Sequence, residues 1–263
     1  MTVRPVTVHL LRHGEVDNPD RVLYGRLPGF GLSARGRAMA ARIASVLQLV
    51  PTGRARVGVV VASPLERALQ TAAPTVAALG LTVDTDDRLI EAASMLQGRR
   101  VDASVLRDPA FRRALAHPFR PGWGEPYDEI ARRMWGAVVD AAARADAAGC
   151  AALLVSHQLP VWTARRWGQR RPLWHDPRSR QCRLASLTTF TFDADGLFDG
   201  SGTGDGPLGL PGAASSSHTS PETLRDALVG VDYTEPARDL MAGAVDVTGP
   251  GAGPGPAVTE EAR

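Results

Sequence analysis

Three short apolar runs, Val6 to Leu11, Val57 to Val61 and Ala151 to Val155, each stop abruptly at a polar cluster. The clusters are Arg12-His13-Gly14-Glu15, Ser63-Pro64-Leu65-Glu66-Arg67 and Ser156-His157-Gln158. Runs of this length are too short for confident helices, and bounded as they are they read as buried strands. At the first of them, Gly14 lets the backbone turn where a side chain would obstruct a ligand.

Between the runs the period changes. After a loop punctuated by Pro19, Gly25, Pro28 and Gly31, Ser33 is placed to cap a helix in which Met39, Ile43, Val46, Leu47 and Val50 recur at helical spacing, and Pro51 ends it. Pro64 suits the first turn of a second helix, continuing through Leu69, Ala73, Val76 and Ala77 to Gly80. Ile130, Met134, Ala137, Val138 and Ala141 predict a long amphipathic helix over Tyr127 to Ala148, closed near Gly149. A helix is also expected from Pro160 to about Trp167, a short strand at Leu81-Thr82-Val83, and a last clear strand at Leu187 to Phe192. The arginine-rich stretch from Gly98 to Gly124 carries no pattern.

Strands alternating with helices imply right-handed crossovers, so the expected fold is α/β, a three-layer αβα sandwich with a mostly parallel sheet. Such sheets bind ligands beyond the carboxyl ends of their strands, where all three polar clusters fall. Beyond Asp193 the composition shifts to Gly, Ser, Pro and Ala without periodicity, which cannot bury enough apolar surface to offset its ordering entropy. The expected organisation is a globular domain over residues 1–193, a flexible insertion over 194–226, a closing strand over 227–238 and a disordered tail over 239–263. In the closing strand, Leu228 to Tyr233 pairs with Leu187 to Phe192.

Composition narrows the function. All 30 basic residues are arginine, against 28 acidic ones, and no basic tail is present, so no nucleic-acid or membrane partner is expected. The absence of lysine points to a codon bias, which makes any single arginine weak evidence. Cys150 and Cys182 fit neither a metal-ligand spacing nor a disulfide framework and suit a reducing compartment. The N-terminus enters its first strand without a leader pattern, and no apolar stretch approaches the roughly 18–20 residues of a membrane span, so a cytoplasmic location is expected. Nothing signals an oligomeric state.

Two arginines and two histidines arriving at one sheet edge suit a tetrahedral dianion, because guanidinium forks bind phosphate oxygens through charge-assisted hydrogen bonds. The natural guest is a small phosphorylated metabolite. Phosphoryl transfer needs mainly positioning and electrostatic stabilisation, and an imidazole nitrogen can act as nucleophile without a metal or other cofactor.

The ordered set Leu11-Arg12-His13-Gly14-Glu15, Ser63-Pro64-Leu65-Glu66-Arg67-Ala68 with Thr71-Ala72, Arg88-Leu89-Ile90-Glu91 and Ser156-His157 resembles the histidine phosphatase superfamily, in its phosphoglycerate mutase-like branch. The resemblance spans about residues 6–193 and implies that fold. It makes His13 the nucleophile that becomes phosphohistidine, Arg12, Arg67 and His157 the groups that bind the transferred phosphoryl, and Glu91 the general acid and base. Asn18 and Gln158 are further candidate substrate contacts. The family often has Ser or Thr after the first-motif glutamate and an asparagine slightly later, whereas here Val16 follows Glu15 and Asn18 sits one place early. Ser156-His157-Gln158 is closer to the family's phosphatases than to the Gly-His-Gly of its mutases. The implied activity is a metal-independent phosphatase, with mutase-type transfer or a non-catalytic phospholigand-binding protein as alternatives.

Other features have plainer readings. Glu15 and Glu66 are rival carboxylates better explained as salt-bridge partners, and His9, His117, His175 and His218 default to structural roles. His9 and His13 lack a third ligand at metal-binding spacing. Gly204 to Gly209 fits a dinucleotide glycine pattern by letter, but no helix follows it. Arg178, Arg180 and Arg183 either recognise an anionic substrate or reflect the codon bias. Trp123-Gly124-Glu125-Pro126-Tyr127 either opens the long helix or lines the substrate mouth.

Overall fold

The computed structural model describes residues 4–100, 107, 109, 124–195, 197–198 and 219–247. Its elements run β1 (Pro5–Arg12), α1 (Ala34–Gln48), β2 (Val57–Ala62), α2 (Glu66–Leu79), β3 (Asp84–Thr85), α3 (Tyr127–Ala148), β4 (Ala151–Ser156), α4 (Gln158–Gly168), β5 (Leu187–Asp193), α5 (Pro221–Asp226) and β6 (Leu228–Thr234). One sheet carries the strands in the order β3-β2-β4-β1-β5-β6. β3, β2, β4 and β1 pair in parallel, and β5 lies antiparallel to both β1 and β6. The central β4 is buried at every position, as a parallel strand covered on both faces must be.

Alternation along the strands sends side chains to two cores. Val8 and Leu10 of β1, Leu154 of β4 and Phe190 and Phe192 of β5 join α3, α4 and Leu224 of α5 on one face. Leu11, Val60, Leu153, Val155 and Leu187 join α1 and α2 on the other. The expected three-layer sandwich with a mostly parallel sheet is the observed one. On the first face Trp135 is fully buried, stacked on Phe190 at 5.4 Å, with its indole N–H donated to Ala164 O at 3.0 Å. A buried aromatic with a satisfied donor is worth several kcal/mol, since truncation to Ala costs about 3–5 kcal/mol.

Several expected boundaries move. α1 is capped by Ser33, whose hydroxyl accepts from Gly36 N at 3.0 Å, but it stops at Gln48, leaving Val50 outside and Val46 38% exposed. Pro64 precedes α2, which begins at Glu66. The buried face of α2 is Arg67, Ala68, Thr71, Ala72 and Thr75, with Ala73 and Ala77 exposed, because this helix presents polar groups to the strand ends and an apolar stripe alone misses that face. Leu81 to Val83 is not a strand; the edge pairing is made by Asp84 and Thr85.

The insertion expected over 194–226 contains α5, capped by Ser220 and anchored by buried Leu224. The tail expected from 239 packs onto the domain as far as residue 247: Arg238–Met241 forms a 3-10 turn and Val245 N donates to Glu15 Oε1 at 2.7 Å. Those segments have little apolar periodicity, and a few apolar side chains, Leu224 on one face and Ala237, Leu240, Met241 and Ala244 on the other, together with polar contacts to distant residues, hold them. Residues 101–106, 110–123, 199–218 and 248–263 lie outside the described residues, and with them His117, Trp123, His218, the Gly204 to Gly209 pattern and the Gly249 to Pro256 run.

The strand ends are flush. Arg12 stands opposite Ser156, His13 N donates to Ser156 O at 3.1 Å, and Ser63 N donates to Val155 O at 2.9 Å. The turn after β1 is then clamped on α1 by main-chain atoms. A Cβ on Gly14 would lie 2.6 Å from Gly36 O, and one on Gly36 would lie 2.0 Å from Glu15 O. Gly14 has no positive φ, so close approach rather than a special turn is what requires glycine there. Gly36→Ala is expected to destabilise the fold by about 1–3 kcal/mol in urea denaturation, since no rotamer moves a methyl away from a carbonyl oxygen. Gly230→Ala, whose Cβ would meet Thr191 Cβ at an ordinary 3.6 Å, is the tolerated control.

Candidate active site

The sheet edge delivers two imidazoles and two guanidinium groups into one buried cluster. Arg12 is fully buried; its Nη1 donates to Cys182 O at 2.7 Å and Asp246 Oδ2 at 2.8 Å, and its Nη2 to Asp246 Oδ1 at 2.7 Å. Burial pulls its pKa down, but the carboxylate of Asp246 outweighs that and holds the guanidinium protonated. Arg67, in the first turn of α2, is buried with Nη2 donating to Gly25 O at 2.6 Å and its guanidinium 4.7 Å over the Tyr24 ring.

His13 Nδ1 lies 2.7 Å from Gly14 O. A carbonyl can only accept, so Nδ1 carries the hydrogen and Nε2 keeps its lone pair on the opposite side of the ring. Burial, then Arg67 and Arg12, hold the His13 pKa well below the usual imidazole value, so the ring is neutral at neutral pH. The His157 ring centroid is 5.1 Å away, and its pKa is likewise depressed, by burial first and then Arg67. His157 Nε2 meets Ser63 Oγ at 2.8 Å, and Ser63 Oγ accepts from Leu65 N at 3.4 Å, so the serine hydrogen is available to Nε2. That tautomer puts an N–H on His157 Nδ1.

Arg67 Nε, His157 Nδ1 and Gln158 Nε2 are all buried without a hydrogen-bond partner. Buried donors are almost always satisfied, so unpaired donors on Arg67 and on His157, whose ring neighbours that of His13, are suited to the oxygens of an anionic ligand. Glu91 follows the 3-10 turn Asp87–Leu89, its Oε1 accepting from Ala92 N at 2.8 Å and its main-chain oxygen from Arg26 Nε at 2.6 Å. Burial raises its pKa against the pull of the Ala92 N–H, Arg67, Arg12 and Arg180, which favours the protonated acid.

The structure therefore gathers Arg12, His13, Arg67, His157 and Gln158, with Glu91 inside their electrostatic reach. The side-chain amide of Asn18 is engaged with Val22, Nδ2 donating to its oxygen at 2.9 Å and Oδ1 accepting from its nitrogen at 3.2 Å. Those bonds brace the loop. Glu15 takes Ser33 Oγ, Arg35 and Val245 N, and Glu66 takes Gln70 Nε2 at 2.8 Å, so both rivals to Glu91 are structural. Cys182 is buried, with its thiol pushed up to about 11 by burial, and contributes its carbonyl.

Tyr24, buried between Arg67 and His13, was not foreseen; its one signal is an aromatic within a Gly/Pro loop. Asp246 carries no local signal, lying in a segment of low-complexity composition. Glu125 binds Arg26 at 2.9 Å and Arg133 at 2.6 Å, tying the loop before α3 to the loop that holds Glu91, while Tyr127 opens the helix. Among the described residues no group of three or more His, Cys, Asp or Glu side chains is arranged to hold a metal ion, and no helix is long and apolar enough to cross a membrane.

Comparison with known proteins places the fold in a family. The Mycobacterium tuberculosis H37Rv protein Rv0525 is 50% identical over 194 residues, covering 73% of this chain and 93% of its own. The mycobacterial glucosyl-3-phosphoglycerate phosphatase Rv2419c superposes with a TM-score of 0.59 at 27% identity, over 72% of this chain and 91% of that one. A phosphoglycerate mutase from Bacillus anthracis superposes with a TM-score of 0.54 over 73% of this chain and 89% of that one; at 17% identity it shows a shared fold alone. Residues 8–198 match the histidine phosphatase superfamily, branch 1, and with His13 buried between its arginines at the end of β1 the chain belongs to that family.

Proposed function

We propose that this protein is a phosphoric monoester hydrolase that works through a phosphohistidine on His13 and needs no metal for the transfer. The observation that carries the proposal is the 2.7 Å contact between His13 Nδ1 and Gly14 O in a ring kept neutral by burial, which leaves Nε2 a nucleophile at neutral pH. The phosphoryl oxygens of a small phosphorylated metabolite lie against Arg67 and His157, with Arg12 supplying the second guanidinium charge. Nε2 attacks phosphorus as the ester P–O bond breaks. Glu91 gives its proton to the departing oxygen, and the alcohol leaves. The Glu91 carboxylate then takes a proton from water, the hydroxide oxygen bonds to phosphorus, the P–N bond breaks, and orthophosphate is released with His13 neutral again.

Two titratable groups whose pKa values are shifted in opposite directions, the imidazole down and the carboxyl up, divide the work of nucleophile and acid. Support for hydrolysis over transfer to a second alcohol comes from Gln158, the residue after His157, and from the phosphatase activity of the solved relative Rv2419c. Isomerised product without free phosphate is the result that reverses this choice.

Rapid quench with a substrate labelled in its phosphoryl group should trap an acid-labile, base-stable phosphoenzyme, absent from His13→Ala; equal trapping in that variant overturns the mechanism. Glu91→Gln should slow alkyl phosphates by about 10²–10⁴-fold. Aryl phosphates, whose phenolate leaves unaided, should lose far less in the first step and should accumulate phosphoenzyme, because water then lacks its base. Since burial raises the Glu91 pKa, wild-type kcat/KM should fall as pH rises through that value, above the usual carboxylate range, and Glu91→Gln should lose this limb.

A further inference from the structure

The chain leaves β6 at the catalytic edge of the sheet. Thr234 stands opposite Leu187, and Leu187 opposite Leu11, the residue before Arg12. Residues 235–247 then cross that edge as an arm that is held along its length. Glu235 accepts from Tyr233 Oη at 2.9 Å and lies 3.6 Å from Arg183. Ala237, Leu240, Met241 and Ala244 join the apolar cluster of α1 and α2, and Asp239 accepts from Arg42 Nη1 at 2.9 Å.

The far end of the arm closes on the turn that carries the nucleophile. Val245 N donates to Glu15 Oε1 at 2.7 Å, and Asp246 takes one terminal nitrogen of Arg12 on each oxygen, at 2.8 and 2.7 Å. Two adjacent arm residues thus grip the two residues that flank His13-Gly14. Glu15 is itself fixed by Ser33 Oγ and Arg35 Nη1, so the arm ends on a rigid frame.

A carboxylate on a phosphoryl-binding arginine has two possible meanings: it occupies the phosphoryl position, or it braces the arginine from behind. The groups whose charges bear on Arg67 are Tyr24, Glu91 and Arg12. Asp246 bears on Arg12, His13 and Tyr24 but not on Arg67. A carboxylate seated between the two guanidinium groups would act on both, so Asp246 stands on the side of Arg12 away from Arg67. Its exposure agrees, since Asp246 keeps 14% of its side chain in water and Arg12 none.

With Cys182 O, Asp246 engages three of the five N–H groups of the guanidinium, which fixes both its plane and its direction. The carboxylate also opposes a phosphoryl dianion from behind Arg12, so the pair gives up some attraction in exchange for orientation. Orientation is what phosphoryl transfer rewards, because charge must be met where the equatorial oxygens stand in the transition state.

We infer that Asp246 is a positioning residue of the transfer site: it acts through Arg12, holding that guanidinium against the transferring phosphoryl group, and the C-terminal arm is what brings the carboxylate there. This rests on the proposed phosphoryl transfer at His13.

Asp246→Asn keeps the size of the side chain but offers Arg12 one acceptor in place of two and turns an amide N–H toward the other nitrogen. Its kcat should fall by about 10- to 100-fold, the range of a hydrogen bond to a charged group, with a smaller change in KM. Asp239→Asn, which loosens the arm at an exposed ion pair and leaves Arg12 untouched, should keep the wild-type kcat. Orthovanadate mimics the five-coordinate transition state, and in calorimetric titration of Asp246→Asn it should lose more affinity than orthophosphate does. In Asp246→Gly, formate should restore part of the activity, and chloride at equal ionic strength should restore none.

A kcat unchanged in Asp246→Asn overturns the inference. An equal loss in Asp239→Asn also overturns it, making the arm a matter of packing. Tighter orthophosphate binding with faster turnover in Asp246→Asn overturns it as well, making the carboxylate an inhibitory occupant. A wild-type chain that hydrolyses nothing, yet loses orthovanadate affinity in Asp246→Asn, fails as a hydrolase and keeps the brace. Hydrolysis indifferent to Asp246→Asn is the reverse.

Discussion

The costly element of this structure is positive charge held out of water. Arg12 and Arg67 are both buried beside two neutral imidazoles, and a guanidinium removed from solvent is tolerated only where its hydrogen bonds are made and an anion is near. The fold meets that demand with atoms from distant parts of the chain: a carbonyl at Cys182, a carboxylate at Asp246, a carbonyl at Gly25 and the face of Tyr24. The sheet keeps these pieces in register, since β1, β2 and β4 are parallel and end together. Much of the loop structure around the strand ends is explained by the need to surround two cations.

The same enclosure sets the proton inventory. Burial favours the neutral form of every group it encloses, so it lowers His13 and His157 and raises Glu91 with one physical cause. The nearby arginines reinforce the effect on the histidines and oppose it on the glutamate. A lone pair on one group and a transferable proton on another thus coexist without a salt bridge between them, which would have quenched both.

The apolar runs of β1, β2 and β4 were legible because buried parallel strands are nearly continuous in hydrophobicity, and α3 was legible to its last residue because its stripe spans six turns before a left-handed glycine at Gly149. α2 was half legible: its apolar stripe is real, but the face toward the site is built from Arg67, Thr71 and Thr75, which no hydrophobic period marks. The motif residues His13, Arg67, Glu91 and His157 could be read from order and type. Asn18 shows a loop-bracing role that order and type did not mark, because an amide in a Gly/Pro loop bonds its neighbouring backbone as readily as a ligand. Asp246 and Tyr24 were invisible since their roles come from contacts across the whole chain; Asp246 lies 234 residues from the arginine it binds.

That last distance separates the unit of resemblance from the unit that folds. The family match ends at residue 198, whereas the sheet ends with β6 at Thr234 and the brace on Arg12 comes later still. A chain cut where the match stops would leave β5 as a bare edge, its ladder partners gone and Phe190 and Phe192 beside an open border, in the way that invites edge-to-edge association. It would also strip Asp246 from Arg12. The boundary of the working module is drawn by electrostatics and sheet closure, and it lies some fifty residues past the boundary drawn by homology.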